Sequence, residues 1–179
     1  MKKSVSISIF VLGLFAGSLT LMHSGEAAVL PFQNVLHGIA ASLSSPDALA
    51  RYMWKNFSVE SDQSNFGQED HWQSPEELLA TRKGDCEDFA RFAYEILRMN
   101  GRTAFMISLY GKHGYGHTVC VYSENGRYNV IDGTDVKRLQ AGSLTDIFGK
   151  IYPQWEKAAI VKTAAGTSHG ILLKQFHRS

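Results

Sequence analysis

Only two of the 179 residues are cysteine, Cys86 and Cys120. A framework of several disulfides is therefore excluded, and at most one bridge can form. A zinc centre built on Cys86 and His117 lacks the second Cys or His at short spacing that such sites use. Charge of one sign is also missing: 18 Lys and Arg face 17 Asp and Glu, and basic residues cluster only in short pairs such as Arg82-Lys83 and Lys137-Arg138. Neither nucleic acid nor an anionic membrane surface would find its electrostatic footprint here. No repeat or low-complexity segment interrupts the chain.

The long uncharged run is confined to the N-terminus. Met1-Lys2-Lys3 precedes a stretch from Val5 to Met22 without a charge, followed by His23-Ser24-Gly25-Glu26-Ala27-Ala28. This pattern reads as a signal peptide, residues 1–27, cut after Ala27. A retained anchor is the alternative, but serines, glycines and Thr20 dilute the run. The expected product, residues 28–179, is one exported domain, periplasmic or secreted, with no membrane insertion after cleavage. Taking away Lys2, Lys3 and Glu26 leaves 16 basic and 16 acidic residues in the remaining 152, enough chain for one proper core.

Ser45-Pro46-Asp47 predicts a helix start, with Leu49, Met53, Trp54 and Phe57 facing the core. The polar stretch from Ser58 to Asp70 reads as an exposed loop. Ser74-Pro75-Glu76-Glu77 is a capping box that opens a short helix through Thr81. Another helix starts at Asp85 or Cys86, buries Phe89, Phe92, Ala93, Ile96 and Leu97, and ends at Asn100-Gly101. Strands are predicted over 103–109, 117–122 and 128–132, the last two joined at Asn125-Gly126. A helix near 143–150 and strands over 158–163 and 170–176 complete the chain. Helices first and hairpins later predict an α+β domain with an antiparallel sheet.

Within this frame Asp85-Cys86-Glu87-Asp88 follows Gly84, His117 stands 31 residues after the cysteine and Asp132 46 after it. A thiol attacks a carbonyl as thiolate, which needs a positive field, an imidazole, or both. In the first turn of a helix, unpaired amides and the dipole supply part of that field. Counting out from a two-residue Asn125-Gly126 turn pairs Glu124 with Arg127 and sets His117 opposite residue 134, with Asp132 diagonal to it. Asp135 is a rival orienter for the imidazole. One bridge between Cys86 and Cys120 remains the structural alternative, yet residues three apart on a strand face opposite ways. If His117 faces Cys86, Cys120 faces away and is a small buried residue. Trp72 and Gln73 could offer oxyanion donors, His113 could line the cleft, and His37, His71, His169 and His177 read as surface histidines. Asp85, Glu87 and Asp88 raise the thiol pKa unless neutralised. A calcium ion would neutralise them. Alternatively, Asp85 caps the helix while Glu87 and Asp88 suit its positive end.

Trp72-x-Ser74-Pro75-x-Glu77-x-Leu79, Gly84-Asp85-Cys86-Glu87-Asp88-Phe89-Ala90, His117-Thr118-Val119 and Val130-Ile131-Asp132 together resemble the blocks of bacterial transglutaminase-like cysteine peptidases. The resemblance covers roughly residues 70–135. It implies a papain-like catalytic core and acyl transfer, with Cys86 as nucleophile, His117 as base and acid, and Asp132 orienting the imidazole. It also implies a protein or peptide substrate and, by the family's periplasmic members, calcium at Asp85 and Glu87; the thiol chemistry itself requires no cofactor. Three outcomes follow: an exported thiol hydrolase of peptide or isopeptide amides, a crosslinking transglutaminase in which an amine replaces water, or a catalytically silent binding module.

Overall fold

The computed structural model describes residues 26–112, 116–164 and 167–178, with side chains from Asn34 onward. Most of the expected signal segment and His113 lie outside the described residues. No helix among those described is long and apolar enough to cross a membrane.

The chain is α+β. Helices α1 (Glu26–Ser42), α2 (Pro46–Asn56), α3 (Asp62–Phe66), α4 (Pro75–Thr81) and α5 (Cys86–Met99) come first, with two-residue strands β1 (Ser58–Val59) and β2 (Lys83–Gly84) between them. Strands β3 (Ala104–Tyr110), β4 (Gly116–Glu124), β5 (Arg127–Asp132), β6 (Asp135–Ala141), β7 (Lys157–Lys162) and β8 (Ile171–His177) follow, with α6 (Thr145–Ile151) between β6 and β7. They form one antiparallel sheet in the order β6-β5-β4-β3-β7-β8.

Alternation along the central strands builds two cores. Met106, Cys120, Tyr122, Ile131, Ala159 and Val161 meet Phe89, Phe92, Ile96 and Leu97 of α5 on one face. Ile107, Leu109, Val119, Val121, Val130 and Ala158 meet Ile147 and Phe148 of α6 on the other. Full burial of each large apolar side chain contributes about 1.5–3 kcal/mol, so α5 is held by its apolar stripe and its N-terminus is fixed against the sheet. The Asn125-Gly126 turn has both residues at positive φ, 52° and 72°, as a tight hairpin turn requires. Its register is the expected one, Glu124 opposite Arg127 and Cys120 opposite Ile131.

Several expectations change. Trp54 is 70 % exposed and lies off the core stripe that Leu49 and Met53 occupy. The segment read as an exposed loop from Ser58 to Asp70 contains β1 and α3, with Asp62 buried. Pairing of β1 with β2 and the Glu60 N–H bond to the Gly84 carbonyl, 2.9 Å, fasten this segment beside the start of α5. Helix α1 and strand β6 were not anticipated; β6 carries a mixed Val-Lys-Arg-Leu-Gln pattern without clean alternation, and it pairs through a turn at Gly133-Thr134.

Candidate active site

Cys86 is the first residue of α5, and the turn that delivers it depends on packing without side chain at Gly84. A Cβ there would stand 2.5 Å from Asp88 Oδ2 and 2.9 Å from Leu78 Cδ1. Asp88 is the hub of this corner: Oδ1 accepts from the Gln73 N–H at 2.7 Å, and Oδ2 accepts from the Gln73 amide at 2.6 Å and the Asp85 N–H at 3.2 Å. Burial pushes its carboxyl up to about 6, against the pull of the Gln73 bonds. Gly84→Ala should therefore destabilise the fold by about 1–3 kcal/mol, the usual range for overpacking; a denaturant midpoint that does not move would refute this account of the corner.

The Gln73 amide is fully engaged in the scaffold. Its Nε2 donates to the Lys83 carbonyl and to Asp88, and its Oε1 accepts from the Thr81 hydroxyl, so no hydrogen is left for an oxyanion. Trp72 is 6 % exposed, its indole N–H donates to Asp70 Oδ1 at 3.1 Å, and its ring lies over Gly170, where a Cβ would come within 2.8 Å. It is core and cleft wall at once.

Around the thiol, the Thr118 N–H donates to Cys86 Sγ at 3.5 Å, and Sγ donates to Glu87 Oε2 at 2.9 Å. The first contact seats the thiol against β4, immediately after His117. His117 Nε2 stands 2.7 Å from Asp132 Oδ1, and Lys137 Nζ donates to Asp132 Oδ2. Burial alone would raise the Asp132 carboxyl, but the His117 and Lys137 bonds and charges outweigh it and hold it below the ordinary range. Asp135 is exposed on the far side of the hairpin turn, opposite Asp132, and the bonded partner of the ring is Asp132. Lys137→Met should raise the Asp132 pKa, read by carboxyl carbon NMR. Because a depressed carboxyl stabilises above its ordinary pKa and loses that contribution as pH falls through the folded value, the variant should also unfold at a higher pH on acidification.

Both cysteines are free, and Cys120 is fully buried. Alternation does separate Cys120 from His117, but with the faces reversed: Cys120 lies in the core that α5 covers, while His117 shares the parity of Val119 and Val121 on the opposite side. The thiol meets β4 at the Thr118 backbone, and among the described residues no hydrogen bond joins Cys86 Sγ to the His117 ring. His71 is no surface residue either; its ring is 4.3 Å from that of Phe66 and it pairs with Glu77. His169, also read as a surface residue, is exposed but lines the cleft.

A helix start was expected to lower the thiol pKa, and here it is raised. Burial is the largest cause, followed by the Glu87 carboxylate that takes its hydrogen bond. The acids are crowded as well. Burial and the Glu87 charge push Asp85 up to about 8, and burial raises Glu87 and Asp62. Asp62 Oδ2 accepts from the His71 N–H at 2.6 Å, whereas Asp62 Oδ1 and Asp85 Oδ1 are buried without a partner. Oxygens of Asp62, Asp70 and Glu87 lie within 4.8 Å of one another, as do those of Asp62, Asp85 and Asp88. Orphaned buried carboxylate oxygens in an all-oxygen cluster fit a calcium ion, a hard cation that takes oxygen ligands. The family resemblance offers Asp85 and Glu87; Asp62 and Asp70 are additions from the structure. Ser61, which caps α3 by accepting from the Ser64 N–H, is the local signal that the reading of 58–70 as an exposed loop passed over; the fold that brings Asp62 beside Asp85 and Glu87 left none.

The cleft in front of Cys86 measures about 470 Å³; Asp70, Trp72, Asp85, Glu87, Tyr110 and His169 line it, as do Gly116 and Thr118 on either side of His117 in sequence, but not His117 itself. A family model of a transglutaminase-like domain matches residues 36–143, which hold all of Cys86, His117 and Asp132. The chain belongs to the transglutaminase-like family. A search of curated proteins found no match. Among solved structures, this transglutaminase-like chain is similar to calcium-bound LapG of Legionella pneumophila, with 16 % identity, 78 % of each chain covered and a TM-score of 0.46. It is also similar to a cysteine protease candidate from Cytophaga hutchinsonii, with 15 % identity, 86 % of this chain and 55 % of that one covered, and a TM-score of 0.47. A crystal structure described as a TGase matches at 16 % identity and TM-score 0.46 over 65 % of this chain but only 35 % of its own.

Proposed function

We propose that this chain is an exported thiol hydrolase that cleaves a peptide or isopeptide amide. The observation that carries the reading is the seating of Cys86 Sγ on the Thr118 N–H, one residue along the chain from His117, whose ring bonds to Asp132, itself held by Lys137. Asp132 engages Nε2, which leaves Nδ1 as the nitrogen that trades protons. His117 takes the thiol proton as Sγ attacks the carbonyl carbon, then gives it to the amine as the carbon–nitrogen bond breaks. The Cys86 backbone N–H, in the first turn of α5 where amides have no partner within the helix, suits the oxyanion. His117 next takes a proton from water as its oxygen attacks the thioester carbonyl, and returns that proton to Sγ as the carbon–sulfur bond breaks and the carboxylic acid leaves.

Asp85, Glu87, Asp62 and Asp70 would hold the calcium ion. When bound, it supplies positive charge that offsets these carboxylates and favours the thiolate. Export rests on residues 1–27; the N-terminus of protein recovered from the periplasm or medium should read from Ala28.

Dimethylated casein incubated with dansylcadaverine and calcium separates the outcomes. Hydrolysis releases new amino groups in the wild type and none in Cys86→Ala. Dye incorporation without new amino groups would assign transamidation instead. Neither product would sink the catalytic reading and leave a binding module.

A further inference from the structure

The cleft that holds Cys86 continues past the thiol. Tyr110, Val161 and Gly170 line it and also line a second hollow of about 530 Å³. The floor of that hollow comes from β7 and β8, where Val161 pairs with Leu172 and Ala159 with Gln175. Cross-strand partners point to the same side of a sheet, and Ala159 and Val161 belong to the core under α5. The hollow is thus a stretch of the α5 face that α5 itself does not cover.

Apolar side chains in this hollow stand open to water. Tyr110 is 38 % and Leu172 56 % exposed, and their apolar area would be buried by a ligand lying there. The charge changes sign along the groove. Asp70, Asp85 and Glu87 stand at the thiol end, while Lys112 and Lys157 stand at the far end beside Glu156. Neither lysine is in an ion pair among the described residues. A small amide at Cys86 would fill only the acidic end.

We propose that this groove is a substrate subsite for an extended polypeptide, seating a bulky apolar side chain against Tyr110, Val161 and Leu172 and an acidic one toward Lys112 and Lys157. The inference rests on the hydrolase reading and narrows its substrate to an unfolded or loop segment of protein. Chain on one side of the scissile bond runs over β7 and β8, and the far lysines complement a negative charge further along it.

Two sets of thiol-directed peptides test this, one with a C-terminal chloromethyl ketone and one with an N-terminal chloroacetyl group. They place peptide on either side of the electrophile. Each set contains an all-glycine peptide, one with leucine, and one with leucine and aspartate. Alkylation of Cys86 is followed by intact mass in calcium. In one of the sets leucine should speed labelling about tenfold over glycine, aspartate should add to the gain, Leu172→Glu should remove the leucine gain, and Lys157→Glu the aspartate gain. Iodoacetamide should label all three proteins at one rate. Equal rates for leucine and glycine peptides in both sets, or a gain that survives Leu172→Glu, would overturn the apolar subsite while leaving the thiol reading intact. An aspartate effect indifferent to Lys157→Glu would overturn the basic end. Failure of iodoacetamide to label wild-type Cys86 would remove the hydrolase reading and the subsite with it.

Discussion

Calcium should raise the thermal midpoint of the protein by on the order of 5 °C near neutral pH, and the gain should vanish towards about pH 4. The cause is the acid nest at the start of α5. Asp85 has its folded pKa raised from 3.8 to about 8 by burial and the Glu87 charge, and Asp88 from 3.8 to about 6 by burial. For a carboxyl whose folded pKa is raised, its contribution to stability is full below the unfolded value and is lost as pH climbs through the folded one. Without a cation, then, stability should decline between about pH 4 and pH 8. The Asp132 contribution runs the other way but acts only below its ordinary pKa. A cation on the Asp62, Asp70, Asp85 and Glu87 oxygens reverses the decline, because the ionised carboxylates become its ligands. Asp62→Asn should lose most of the gain while keeping the His71 contact through the remaining oxygen. Calorimetry in chelator and in calcium across this range decides it. Identical midpoint curves in the two would exclude the site, and magnesium matching calcium would exclude its selectivity.

What the sequence disclosed was the local part of this arrangement. Ser45, Ser74 and Asn100-Gly101 marked helix ends because caps are set by neighbours a few residues away. Asn125-Gly126 set the β4–β5 register, since a two-residue turn leaves one pairing, and that register carries Asp132 to His117. The blocks around Cys86, His117 and Asp132 also carried the family. Elsewhere the deciding forces act between segments distant in sequence. Nothing near Asp62 or Asp70 tells that β1–β2 pairing brings them to the thiol. Lys137 reaches Asp132 only because β6 pairs with β5. At Cys86 a helix dipole worth about 0.3–1 kcal/mol loses to burial and an adjacent carboxylate.

That imbalance leads to the other large expected effect. In calcium-free buffer near neutral pH, Glu87→Gln should alkylate at Cys86 about tenfold faster than the wild type, the reverse of what loss of a neighbouring polar residue usually does to an active thiol. In the wild type, Sγ donates its proton to Glu87 Oε2 at 2.9 Å, and the carboxylate both holds the thiol form and repels the thiolate. A neutral amide at the same place ends the charge repulsion. One pKa unit corresponds to about tenfold more thiolate when the thiol titrates above the working pH. Calcium should accelerate the wild type by a comparable factor and leave Glu87→Gln nearly unmoved, since the variant has lost both the charge to be offset and a ligand. His117→Ala should slow the calcium-loaded wild type by about tenfold or more, because the imidazole is then the remaining base. Cys120, fully buried, should stay unlabelled throughout and serve as the internal control. Intact-mass kinetics over a range of pH reads all of these together. A Glu87→Gln rate equal to or below that of the wild type without calcium would show that the carboxylate is not what holds the proton on Sγ. A calcium-loaded rate indifferent to His117→Ala would remove the imidazole from the mechanism.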